Sequence, residues 1–140
     1  MMFGGHVETN ESPWETVLHE VTEETGYLHS QLSVLQPKQR ISFLAEATLH
    51  PVPLCYSTKE YPGTPKKHSH TDVTYAFVAD GPPALAPEDG ESTDIVVVDI
   101  DELNALPDET VVETYRTIGR AVLEQFYGSW EPLSFDQFDA

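Results

Sequence analysis

Gly5-His6-Val7-Glu8-Thr9-Asn10-Glu11-Ser12-Pro13-Trp14-Glu15-Thr16-Val17-Leu18-His19-Glu20-Val21-Thr22-Glu23-Glu24-Thr25-Gly26-Tyr27 is the stretch on which the fold turns. Its middle predicts a helix with both ends marked. Ser12 is placed to cap the N-terminus, Pro13 occupies the first helical position, and Glu15 completes a capping box. Gly26, after Thr25, is placed to end the helix in a left-handed conformation. Between the two ends Trp14, Val17, Leu18 and Val21 follow the i, i+3, i+4, i+7 spacing of one buried face.

Three carboxylates share that helix. At about 100° per residue, Glu20, Glu23 and Glu24 cover an arc of roughly 100°, beside the apolar face rather than opposite it. Glu20 and Glu24 are neighbours at i, i+4, where like charges repel. A bound divalent cation removes that repulsion, and Mg²⁺ favours oxygen ligands of this kind. From spacing alone a solvated acidic face is the ordinary reading. The wider pattern around the helix changes it.

Outside residues 5–27 the chain predicts strands at Leu32–Leu35, Ile41–Leu49, Asp72–Ala79 and Asp94–Ile100. The Pro-, Lys- and Thr-rich Pro51–Lys67 reads as a loop or a long hairpin connection, and the acidic Gly81–Ser92 as another loop. Asp101–Leu106 reads as a helical turn. A long helix is expected from Pro107 to about Tyr127, with Val111, Tyr115, Ile118, Val122 and Phe126 as its apolar stripe. One domain over residues 1–128 is expected, followed by an acidic, aromatic tail, 129–140, that is either disordered or docked in a groove.

Composition bounds the function. A chain of 140 residues suits one domain with one core. With 24 Asp and Glu against 7 Lys and Arg, the net charge of −17 argues against gripping duplex DNA through a basic surface. It leaves room for a nucleotide whose charge is met by metal ions. No apolar run is long enough to span a membrane. Cys55 is the single cysteine, so no intrachain disulfide can form, and a reducing compartment, the cytoplasm, is expected.

Gly5, five residues, Glu11, seven residues, then His19-Glu20-Val21-Thr22-Glu23-Glu24-Thr25-Gly26-Tyr27 resembles the Nudix box, G-x5-E-x7-R-E-U-x-E-E-x-G-U, where U is a bulky apolar residue. Gly4-Gly5-His6-Val7-Glu8 resembles the family's usual lead-in, G-G-x-V-E. More weakly, the strand at 68–77 and the Ile95–Leu106 ending with its C-terminal helix are similar to the rest of a MutT-like domain. The resemblance implies an α/β (α+β sandwich) fold, a mixed sheet flanked by the box helix and a long C-terminal helix.

It also implies an activity: hydrolysis of a pyrophosphate linkage in a nucleoside diphosphate joined to another group, with Mg²⁺, or Mn²⁺ in its place, stabilising the leaving oxygens. Carried over by position, Glu20, Glu23, Glu24 and the carbonyl of Gly4 would hold the metal. Glu23, Glu24 or the loop residue Glu91 would act as general base. Gly5, Glu11, His19 and Gly26 would shape the box, and His68, His70 and Asp72, alternating on one side of a strand, are candidates for substrate contact.

Two departures from the family pattern bear on these expectations. His19 stands where the box has arginine. The chain also begins almost at the box, with Met2-Phe3 where a Leu-Pro approach is usual, so the N-terminal strands of a typical member are expected to be missing. A late start, a homodimer partner or the tail are the three ways of filling that gap. The rival to an enzyme is a non-catalytic Nudix-fold module that binds a nucleotide or a protein.

Overall fold

The computed structural model describes residues 3–62, 67–93 and 95–138. Met1, Met2, Asp94, residues 63–66 within the expected Pro51–Lys67 loop and the end of the tail lie outside the described residues.

Helix α1 spans Pro13–Thr25 and bears out its local signals. The Ser12 hydroxyl accepts the Glu15 N–H at 3.2 Å, while the Glu15 carboxylate accepts the Ser12 N–H at 2.7 Å. Those bonds hold the Glu15 carboxyl below its ordinary range, the Ser12 backbone N–H being the main cause. At the far end Gly26 has φ 72 and its N–H reaches the Thr22 carbonyl at 2.9 Å. A Cβ there would also fall 2.1 Å from the Leu85 carbonyl oxygen, so glycine is required twice over.

The buried face is shifted slightly from the expected one. Trp14, Thr16, Val21 and Thr25 are buried, and Val17 and Leu18 pack at the edge of the core. Trp14 is the centre of that core, wholly buried, with Tyr75 and Phe135 edge-on at 5.2 Å and Phe77 stacked at 6.1 Å.

A three-stranded sheet covers it. Strand β1 (Leu32–Gln36) is the middle strand, with β4 (Phe77–Ala79) on one side and β5 (Glu131–Ser134) on the other. The registers pair Val34 with Phe77 and with Leu133. Strands β2 (Cys55–Tyr61) and β3 (His68–Thr74) form a separate ribbon. The α/β class stands, with two antiparallel sheets where one mixed sheet was expected. The expected strand 72–79 is split, because the chain leaves the ribbon after Thr74 and joins β1 at Phe77.

Two expected strands are corrected. Residues 41–49 form no strand: Ile41 and Phe43 are exposed, and Glu46 turns the chain at φ 63. Residues 95–99 join no strand among the described residues, with Val97 91% exposed. β-Branched residues favour a strand only when a neighbour supplies hydrogen bonds and cover, and neither segment has one. In their place the Gln36 side chain pairs with the backbone of Val52, donating to its carbonyl at 2.9 Å and accepting its N–H at 2.8 Å.

The expected turn at 101–106 is helix α2 (Ile100–Ala105). The long C-terminal helix is shorter than expected: α3 spans Glu113–Ala121 and widens into a π-helical turn at Val122–Phe126. Its expected apolar stripe is largely half-buried or exposed, and its one buried residue is Arg116. That guanidinium donates to the Leu103 and Leu106 carbonyls and to Asp108, satisfying the open end of α2. The segment after Gly128 is docked, since β5 pairs with β1 and Phe135 and Phe138 enter the core beside Trp14.

Candidate functional site

The acidic end of α1 is where local physics and packing disagree. Glu20, Glu23 and Glu24 occupy its last turns, where the helix dipole disfavours negative charge and no basic residue offsets it. Glu24 is crowded by several of these carboxylates. Burial pushes its carboxyl above the usual range, the charge of Glu20 adds to the effect, and Glu91 and Glu23 add more. A hydrogen bond from the Gly4 backbone N–H acts the other way.

Gly4 and Gly5 bring the preceding loop onto these carboxylates. A Cβ on Gly5 would fall 1.7 Å from Glu20 Oε1, so any larger residue there would displace that carboxylate. A cavity of about 470 Å³ results, lined by Gly4, Gly5, Glu11, His19, Glu20, Glu23 and Glu24 among others.

Glu91 reaches this region because its loop is latched to α1. Leu85 N–H donates to the Gly26 carbonyl at 3.0 Å, Glu88 N–H to the Glu23 carbonyl at 2.8 Å, and Glu91 N–H to the Glu88 carbonyl at 3.0 Å. Tyr27 and Gln31 fix the loop's start through the Gly81 and Pro82 carbonyls, each at 2.9 Å. The sequence marked Gly81–Ser92 as a loop but carried no sign of these anchors, which are bonds to its backbone.

His19 pairs with Glu11: Nδ1 lies 3.2 Å from Oε1. Thr16 Oγ1 donates to the other oxygen of Glu11 at 3.1 Å, a partner the sequence reading missed. His68, His70 and Asp72 do not line the acidic cavity. They line a larger cleft of about 790 Å³ that Glu24, Gly4, Gly5 and His6 also border. Thr114, Tyr115 and Ile118 of α3 form part of its wall, and Tyr75, whose hydroxyl burial pushes upward in pKa, lies in it too. None of these was singled out for the site, since their approach depends on how α3 and β4 pack.

Among the described residues no three His, Cys, Asp or Glu side chains stand close enough together to hold a metal ion. The donor set around Glu24 is nonetheless oxygen only, which is the chemistry Mg²⁺ takes, and its mutual repulsion is what a cation relieves.

The family model for the Nudix domain matches residues 2–120. The chain belongs to the Nudix family. Nudix proteins in general hydrolyse nucleoside diphosphate derivatives, small nucleotide molecules, and generally use a divalent metal such as Mg²⁺. No curated protein and no solved structure matches the chain. The matched span includes α1 and the Glu11–His19 pair. No helix among the described residues is long and apolar enough to cross a membrane.

Proposed function

We propose that this Nudix protein is a Mg²⁺-dependent pyrophosphohydrolase, Mn²⁺ serving in its place, that cleaves the pyrophosphate linkage of a nucleoside diphosphate joined to another group. The observation that carries the reading is the crowding of Glu24 by Glu20, Glu91 and Glu23 at a wall common to both cavities. Carboxylates held against one another and against the helix dipole cost stability unless a cation binds among them.

On this reading Glu20, Glu23, Glu24 and the Gly4 carbonyl hold the ion. When bound, it would offset the negative charge of the pyrophosphate and stabilise the leaving oxygen. The attacking water gives up its proton to a carboxylate. Glu24, at the wall common to both cavities, and Glu91, whose latched loop brings its charge to Glu24, are placed for this, with Glu23 as the third candidate. Glu11 and His19 orient the box helix. His68, His70 and Asp72 contact substrate in the larger cleft. The lone Cys55 supports a cytoplasmic setting, where thiols stay reduced.

A second reading, a catalytically silent module that binds a nucleotide, is favoured by one observation: the absence of three gathered metal-binding side chains among the described residues. Phosphate release from a panel of nucleoside diphosphate derivatives, with and without Mg²⁺, separates the two. Metal-dependent turnover abolished by Glu24→Gln and reduced by Glu91→Gln supports the hydrolase. No turnover by folded protein across the panel would leave the binding module.

A further inference from the structure

The β2–β3 ribbon has a face of clustered rings to which the hydrolase reading gives substrate contact without saying which part of the substrate. Opposed residues of an antiparallel pair share a face, and the register sets Ser57 against Asp72, Lys59 against His70 and Tyr61 against His68. On that face the rings are in contact. Tyr61 and His68 are stacked at 5.6 Å with 13° between their planes, and His70 lies 4.9 Å from Tyr61 and 5.2 Å from His68. Lys59 Nζ sits 4.9 Å from the Tyr61 centroid. From the loop ahead of α1, His6 meets His70 edge-on at 6.0 Å.

This cluster is not core. The first five residues of β3 and nearly all of β2 are exposed. Its position is instead that of a wall: His6, His68, His70 and Asp72 line the larger cleft together with Glu24. Since His6 borders the acidic cavity as well, the rings stand next to the carboxylates that the hydrolase reading assigns to the reacting phosphates. Flat rings offer stacking faces, and imidazole edges offer hydrogen bonds. Asp72 and Ser57 add a carboxylate and a hydroxyl on the same face. A further phosphate is a poor match, because Asp72 would repel it. A sugar offers hydroxyls to the acid but no flat π face to the rings. A planar ring with N–H groups on its edge uses both the rings and the acid.

We propose that His6, His70 and Asp72 form a nucleobase subsite: the base stacks on His70 against His6, and Asp72 accepts a hydrogen bond from an exocyclic amino group of the base. The substrate is thus a derivative of an amino-bearing nucleotide. The assignment to a substrate rests on the hydrolase reading; base binding itself does not.

The test is calorimetry on the metal-free protein with guanosine, adenosine, cytidine and uridine monophosphates and with ribose 5-phosphate. At least one amino-bearing nucleotide should bind about tenfold tighter than ribose 5-phosphate, the usual worth of stacking one base. His70→Ala should remove that gain, His70→Phe should keep most of it, and Asp72→Asn should erase the preference over uridine monophosphate. Equal binding of every nucleotide and ribose 5-phosphate, or a folded His70→Phe as weak as His70→Ala, overturns the subsite. Base-dependent binding without turnover of any derivative would keep the subsite and sink the hydrolase reading. Turnover with base-independent binding would do the reverse.

Discussion

His19 Nδ1 lies 3.2 Å from Glu11 Oε1, and Thr16 holds the other oxygen of the same carboxylate. A Nudix box has arginine at this position. Arginine is charged at every working pH, whereas histidine is charged only when protonated. His19→Arg, which makes the positive charge of the pair permanent, is therefore expected to raise kcat/KM. The His19 side chain is 63% exposed, and an exposed pair contributes about 0.2–1 kcal/mol, so the gain should be roughly a fewfold. Steady-state kinetics of both proteins check this; an unchanged kcat/KM would remove His19 from any role in setting the box.

Glu24 makes a prediction about stability without metal. Its carboxyl is raised above 4.5 in the folded protein, first by burial and then by Glu20. A group that binds its proton more tightly when folded stabilises the fold at low pH. That contribution is lost as pH climbs from 4.5 through the raised value. Glu15, lowered by Ser12, has the opposite sign: its contribution is present above 4.5 and lost as pH falls. Glu24→Gln should remove the first effect alone. Above pH 4.5 the metal-free variant should be more stable than wild type, by about 0.2–0.5 kcal/mol for the repulsion with Glu20. Mg²⁺ should raise the Tm of wild type and leave the variant nearly unmoved. Thermal melts across this range, with and without Mg²⁺, decide it.

Gly5→Ala and Gly26→Ala should fail differently. At Gly5 the new methyl group meets the Glu20 carboxylate, the end of a flexible side chain, so the fold survives and the carboxylate is displaced. Activity should fall at least about tenfold, in line with a misplaced catalytic group, with Tm little changed. At Gly26 the methyl group meets the Leu85 backbone and φ is 72. Stability should fall by at least about 1–2 kcal/mol, the usual cost of a left-handed residue, and the loop carrying Glu91 should exchange its amide protons faster. Denaturant titration and hydrogen exchange tell the two apart.

Much of α1 was legible because its signals are local. Ser12, Pro13, Glu15 and Gly26 act on backbone within four residues, so the helix could be read without knowing its neighbours. The carboxylates came with it. The strands expected at 41–49 and 94–100 are absent among the described residues because Ile41, Phe43 and Val97 supply only propensity, and a strand needs a partner. The reverse error hid β5: Glu131-Pro132-Leu133-Ser134 is short, holds a proline and becomes a strand through pairing with β1, ninety-odd residues earlier in the chain. The approach of Glu91 was legible only as a loop acid before a core segment. What places it, the bonds from Leu85 and Glu88 to α1, passes through backbone atoms that every residue type shares.

Ser12→Ala tests the start of the box helix by itself. The hydroxyl satisfies the Glu15 N–H, and its loss also leaves the reciprocal Glu15 bond without its partner geometry. An N-cap of this kind contributes about 1 kcal/mol. The variant should unfold at correspondingly lower denaturant while keeping its m-value. An unchanged midpoint would mean that α1 is held by Trp14 and Val21 alone.

The segment after Gly128 carries the strongest stability prediction. Phe135 and Phe138 are buried against Trp14, and β5 covers the open side of β1 from Ser33 to Gln36. Removing residues 129–140 therefore exposes the middle of the core and leaves β1 an edge strand. Phe135→Ala alone should cost about 3–5 kcal/mol, the range for a buried aromatic truncated in a packed core. A domain of this size has only about 5–15 kcal/mol in hand, so the deletion should abolish cooperative unfolding altogether. Calorimetry of the full chain, Phe135→Ala and the deletion reads this directly. If the deletion melts cooperatively near the wild-type temperature, residues 129–140 are an appendage, and the core is complete within 1–128. If it does not, the strand and its two phenylalanines are as much a part of the domain as α1.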